Sequence, residues 1–131
     1  MSRVLSICTG MGLLDRAFMD AGHNVVPGCE IEPQKREMYS QLCGGAPLTN
    51  CLGDLPMKIA GWRFDGIIGG PPCQSFSPLA HLFRANGHEP RFGNLIPEFE
   101  RCVLEAQPAW FLMENVPEAP MPAVSGYFTK S

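Results

Sequence analysis

Cys73 and Glu114 are the two side chains best suited to reaction chemistry, and each follows an apolar run. A cysteine thiolate is a strong nucleophile, and a carboxyl group can deliver a proton or hold a developing charge. Cys73 lies in Gly69-Gly70-Pro71-Pro72-Cys73-Gln74-Ser75-Phe76-Ser77, after Gly66-Ile67-Ile68. Two glycines and two prolines stop a strand and stiffen its exit, because proline fixes its own φ and restricts the residue before it. Glu114-Asn115-Val116 follows Ala109-Trp110-Phe111-Leu112-Met113. Taken singly, a Pro-Cys pair is ordinarily a turn with a packed thiol, and a glutamate after an apolar strand is ordinarily where the chain meets water.

Other residues have the spacing of a ligand site. Gly10-Met11-Gly12 follows a first apolar run, and Glu30 closes a second. A glycine turn followed about twenty residues later by an acid is the arrangement that receives ribose hydroxyls. The third glycine of a dinucleotide fingerprint is missing, since Leu13-Leu14-Asp15 stand in its place. A ligand without phosphate therefore fits better than NAD. S-adenosylmethionine, with adenine, ribose and a sulfonium amino acid, is such a ligand. Asp54 closes a third short run and is suited to accept a hydrogen bond from an adenine amino group.

These groups need a scaffold that brings strand ends together. Val4–Cys8, Asn24–Cys29, Thr49–Leu52, Phe64–Ile68 and Ala109–Met113 read as five strands. Leu13, Leu14, Ala17, Phe18 and Ala21 share one helical face, and Gly22 ends it. Pro33–Leu42 reads as a second helix with proline in its first turn. Ile96, Phe99, Val103 and Ala106 mark another, with Pro97 in its first turn and Pro108 as its stop. Alternating strands and helices predict an α/β fold with a mostly parallel sheet and right-handed crossovers. In such a sheet, ligands bind beyond the carboxyl ends of the strands. Glu30, Asp54, Cys73 and Glu114 would then converge on one rim. The stretch from Gly69 to Gly93 is long for a loop in a compact domain, and such loops are usually functional or disordered.

Composition narrows the classes. The chain has 131 residues, 45% of them hydrophobic, which suits one globular domain. A net charge of −3 excludes strong non-specific phosphate binding. Cys8, Cys29, Cys43, Cys51, Cys73 and Cys102 form no Cys-x-x-Cys pair, so no metal site is expected. No apolar signal segment follows Met1, and no run reaches membrane-spanning length. A cytoplasmic protein with reduced thiols and no membrane association is expected.

In order and spacing, these motifs resemble the cytosine-C5 DNA methyltransferases over nearly the whole chain. The resemblance implies a Rossmann-like S-adenosylmethionine-dependent methyltransferase sheet. It assigns Cys8, Thr9, Gly10, Met11, Gly12 and Leu13 to the cofactor turn. Glu30-Ile31 and Asp54-Leu55 become the ribose and adenine contacts, and Pro72, Asn94 and Leu95 complete the cofactor site. Arg91 to Leu95 is similar to the family's Arg-Gly-x-Leu, with Phe92 inserted. Cys73 becomes the nucleophile, Glu114 the group at ring N3, and Asn115 the side chain that holds the Pro-Cys backbone. DNA with a flipped-out cytosine is the implied partner. Gln74, Ser75 and Ser77 would lie against it, and Arg84 or Arg91 would touch phosphate.

The chain departs from the family at three points. Cys8 stands where the family usually has phenylalanine, which implies one lost stacking contact with adenine. Ser75 replaces a glycine-like position. The family's Gln-Arg-Arg motif, target-recognition region and closing motifs are not among these 131 residues. The expectation is a sheet truncated after the fifth strand, with a catalytic and cofactor domain over residues 1–118 and an irregular tail over 119–131. Ala109–Met113 would then be an apolar edge strand, inviting a second chain or self-association to cover it. The implied function is methyl transfer to carbon 5 of cytosine by a truncated or split enzyme. The alternatives are a non-catalytic remnant that binds S-adenosylmethionine or a partner, and an enzyme acting on RNA, since a transfer-RNA methyltransferase shares these motifs.

Overall fold

The computed structural model describes residues 2–50, 52–55, 61–72 and 94–131. Cys73, Gln74, Ser75, Ser77, Arg84 and Arg91 lie outside the described residues.

Among the described residues the sheet has four parallel strands in the order β2-β1-β3-β4: β1 (Arg3–Ile7), β2 (Asn24–Cys29), β3 (Gly66–Gly69) and β4 (Trp110–Met113). Three helices among the described residues connect and cover them: α1 (Leu13–Asp20), α2 (Pro33–Cys43) and α3 (Ile96–Ala106). β1 is central, so both of its faces are covered and Val4, Leu5, Ser6 and Ile7 have no exposed surface. That is why its sequence reads as a continuous rather than alternating apolar run.

The pleat sends alternate residues to opposite faces. Leu5, Ile7 and Ile67 face a cluster with Phe99, Cys102 and Val103 of α3. Val4, Val25 and Ile68 face the other way, against Leu14 and Phe18 of α1. Ser6 points to that second side, where it meets Asp15 of α1. Residues 119–131 form no helix or strand. Even so, Val124 is buried in the α3-side cluster, and Tyr127 packs edge-on against Phe111 with its hydroxyl on the Pro108 carbonyl.

The sheet departs from expectation at one strand. Thr49 forms only an isolated parallel bridge to Cys29, and Leu52–Asp54 is a 3-10 turn. Thus Thr49–Leu52 is not a strand among the described residues, and Asp54 does not close one. Pro27 explains part of this. Its carbonyl accepts from Leu48 N–H on the outer edge of β2, but proline has no N–H to return. Arg101 fixes the turn from α3, donating to the Leu52 carbonyl at 3.1 Å while pairing with Glu98 and Glu105.

Candidate active site

The carboxyl ends of the strands form one rim, and two cavities open along it. The larger, about 410 Å³, lies between the ends of β1 and β2, the Leu52–Gly53 turn, Pro72 and Leu95. The smaller, about 190 Å³, lies between the glycine turn after β1, the first turn of α1 and the ends of β3 and β4. Cys8 borders both.

The turn after β1 has unusual backbone. Cys8 has φ 52°, Gly10 59° and Gly12 95°. A non-glycine residue in the left-handed region is strained and persists only where its surroundings enforce it. Here Cys8 N–H donates to Cys29 Sγ at 3.3 Å, and Thr9 N–H donates to the Cys29 carbonyl at 3.0 Å. The hydrogen bond with Cys29 and burial push the Cys8 thiol far above its usual range. Gly12 packs against α2: a Cβ there would sit 2.7 Å from both Cys43 Sγ and Tyr39 Cδ2.

Glu30 braces this turn. Its Oε1 accepts from Gly10 N–H and its Oε2 from Glu32 N–H, each at 2.9 Å. It is nearly buried and lines the larger cavity with Ile31. Each carboxylate oxygen keeps a lone pair for a second donor, so the bracing role and a role toward a diol are compatible.

β3 and β4 bring Gly69-Gly70-Pro71-Pro72 against Glu114-Asn115. Glu114 N–H donates to the Gly69 carbonyl at 2.9 Å, extending the parallel ladder. Asn115 Nδ2 donates to the Pro71 carbonyl at 2.9 Å, while its Oδ1 accepts from Val116 N–H. Gly70 allows close approach: a Cβ there would lie 2.9 Å from Glu114 Oε2. Leu95 N–H donates to the Pro72 carbonyl at 3.0 Å, so the entry to α3 also fastens this segment.

The sequence-predicted residues therefore divide. Cys8, Glu30, Ile31, Pro72 and Leu95 meet in the larger cavity, and Cys8, Thr9, Gly10 and Glu114 in the smaller. Met11 and Leu13 face solvent, lining neither cavity. Leu55 is fully buried in the α3-side core, so its side chain is a packing group instead of a cavity contact. Asn94 lines neither cavity, and its Oδ1 accepts from Ile96 N–H at the start of α3. Asp54 follows Gly53, which lines the larger cavity.

Sequence reasoning missed a buried group behind the turn. Asp15 is 1% exposed and takes a hydrogen bond at 2.6 Å from each of the Ser6 and Tyr39 hydroxyls. Burial raises its pKa, against the two hydrogen bonds. Burial and then Asp15 itself push the Tyr39 hydroxyl upward. The available signal was an acid in the first turn of a helix, next to the apolar Leu13-Leu14 pair. No group of three metal-ligating side chains occurs among the described residues, nor any helix long and apolar enough to cross a membrane.

Comparison with known proteins bears on the family and the fold. The pattern of the C-5 cytosine-specific DNA methylase family matches residues 2–123. The type II methyltransferase M.FnuDI of Fusobacterium nucleatum is 34% identical over 114 residues, covering 87% of this chain and 32% of the relative. The type II methyltransferase M.HgiGI of Herpetosiphon aurantiacus is 43% identical over 120 residues, covering 89% of this chain and 92% of that protein. A prophage-encoded E. coli protein assigned as a DNA modification methyltransferase superimposes with TM-score 0.66 at 28% identity, over 90% of this chain and 33% of its own. The chain thus spans about a third of the length of M.FnuDI and of the E. coli protein. With the family pattern matched over residues 2–123 and a relative 43% identical over nearly its whole length, the chain belongs to the C-5 cytosine-specific DNA methylase family.

Proposed function

We propose that this chain carries the cofactor-binding and catalytic part of a DNA cytosine-C5 methyltransferase that uses S-adenosylmethionine. The observation that carries the reading is the hydrogen bond from Asn115 to Pro71. It fastens the segment that leads into Cys73 beside Glu114, so one rim holds a nucleophile's approach and an acid.

The residues present fit the cofactor. Ile31, Leu52, Leu95 and the Cys8 side chain offer an apolar wall to adenine, and Glu30 offers carboxylate oxygens to a ribose diol. When bound, S-adenosylmethionine supplies an electrophilic methyl group. The protein's task is to make carbon 5 of cytosine nucleophilic. The Cys73 thiolate adds to carbon 6, and the ring becomes an enamine. Glu114 hydrogen-bonds ring N3 and stabilises the charge that develops there. Once carbon 5 carries the methyl group, loss of its remaining proton expels the thiolate and restores the aromatic ring. In duplex DNA the base must first leave the stack. Relatives named as type II and DNA modification methyltransferases favour DNA over RNA as substrate.

The free side of β4 belongs to the same reading. Among the described residues β4 pairs only with β3, and Leu112 is 44% exposed. We propose that a further strand, from a second chain or a second copy, pairs there. Duplex DNA containing 5-fluorocytosine tests the chemistry, because fluorine at carbon 5 blocks the final elimination and traps the covalent adduct. Trapping by the wild-type protein and none by Cys73→Ala is expected. Equal trapping by both would reject Cys73 as the nucleophile.

A further inference from the structure

Asp15 is a buried acid that the chemistry above leaves unused. Both of its oxygens are fixed, one by Ser6 of β1 and one by Tyr39 of α2. Among the described residues no cation pairs with it: Arg16 pairs with Asp20, Lys35 with Glu32, and Arg101 with Glu98 and Glu105. A buried carboxylate without a cation is costly, and proteins rarely keep one without a use. Its raised pKa reflects that cost. Asp15 also borders the 190 Å³ cavity, together with Gly10, Gly70 and Glu114.

The two cavities share one lining residue, Cys8. A ligand with adenosine in the larger one would extend its tail into the smaller one, and the tail of S-adenosylmethionine carries an α-ammonium group. We propose that Asp15 receives this ammonium group, so that the ligand supplies a cation that no described residue provides. The inference rests on the assignment of the larger cavity to adenosine. Ser6 and Tyr39 are positioning residues. Their hydroxyls each use one lone pair of the carboxylate and leave others for the ligand. Glu114, the other acid on this cavity, is committed to the base.

Calorimetry on the full chain tests this with three ligands. S-adenosylhomocysteine keeps the ammonium group, S-adenosyl-4-thiobutanoate lacks only the amino group, and 5′-methylthioadenosine lacks the amino-acid end altogether. Asp15→Asn keeps the shape and removes the charge. It should weaken S-adenosylhomocysteine roughly 10- to 100-fold, the range for a hydrogen bond to a charged group, and leave 5′-methylthioadenosine unchanged. Removing the amino group from the ligand should cost the wild type a similar factor and cost Asp15→Asn nothing more. Equal weakening of all three ligands, or losses that simply add, would overturn the inference. If the wild type binds none of the three, the adenosine assignment itself is wrong and the inference falls with it. If Asp15→Asn does not fold, Tyr39→Phe should show the same selectivity with a smaller loss, and an unselective effect there would also overturn it.

Discussion

Asn115 Nδ2 lies 2.9 Å from the Pro71 carbonyl oxygen and so ties the exit of β4 to the exit of β3. Neither Pro71 nor Pro72 has an N–H to donate, so their backbone hydrogen bonds run through their carbonyls alone. Asn115 serves the Pro71 carbonyl and Leu95 N–H the Pro72 carbonyl.

Asn115→Ala should therefore loosen the approach to Cys73 without touching the cofactor cavity. Single-turnover methylation should slow by about 10-fold or more, in line with the 1–3 kcal/mol cost of an unpaired buried acceptor. Calorimetry should give unchanged affinity for S-adenosylhomocysteine. Loss of affinity comparable to the loss of rate would mean that Asn115 supports the whole rim.

Glu30 braces the turn after β1 and, in the proposed site, also faces a ribose diol, so Glu30→Ala should show two effects. Without ligand, thermal denaturation should show a loss of about 1–3 kcal/mol, because Gly10 and Glu32 N–H groups lose their acceptor. S-adenosylhomocysteine should then restore less stability than it gives the wild type. An equal ligand-induced gain in both proteins would remove Glu30 from the cofactor site.

Gly12→Ala should destabilise the fold by about 1–3 kcal/mol. The added Cβ meets Tyr39 and Cys43 at 2.7 Å, and φ of 95° disfavours any side chain. Urea denaturation measures this, and a neutral result would mean that α2 shifts freely.

Much of the scaffold was legible because its punctuation is strong. β2 spans Asn24–Cys29 as expected, the Ala109–Met113 run yields β4, and Pro33–Leu42 lengthens by one residue to α2. The glycines and prolines around these runs act locally, and a local signal survives folding. Thr49–Leu52 failed as a strand because a strand also needs a partner able to complete a ladder, and Pro27 on β2 limits that partner. Leu55 looked like a ligand contact but packs with Phe64 and Phe99 in the core. The Ser6–Asp15–Tyr39 network was hidden for a different reason. It joins β1, α1 and α2, and no spacing along the chain encodes which hydroxyls converge on one acid.

The same network predicts a pH effect. Burial raises the Asp15 pKa above its ordinary 3.8, so the folded state holds the proton more tightly than the unfolded chain. By linkage, its contribution to stability is full below 3.8 and is lost as pH rises through the folded value. Ligand-free wild type should thus lose stability relative to Asp15→Asn as pH rises through this window. Denaturant titrations of both proteins at several pH values measure the difference, and a constant difference would mean that Asp15 does not titrate there.

The proposed attack of Cys73 on cytosine, with Glu114 beside it, is tested most directly by incubation with duplex DNA containing 5-fluorocytosine and S-adenosylmethionine. A denaturant-resistant protein–DNA adduct should form with the wild type, be absent from Cys73→Ala, and form far more slowly with Glu114→Gln. An adduct formed equally well by all three proteins would contradict the account.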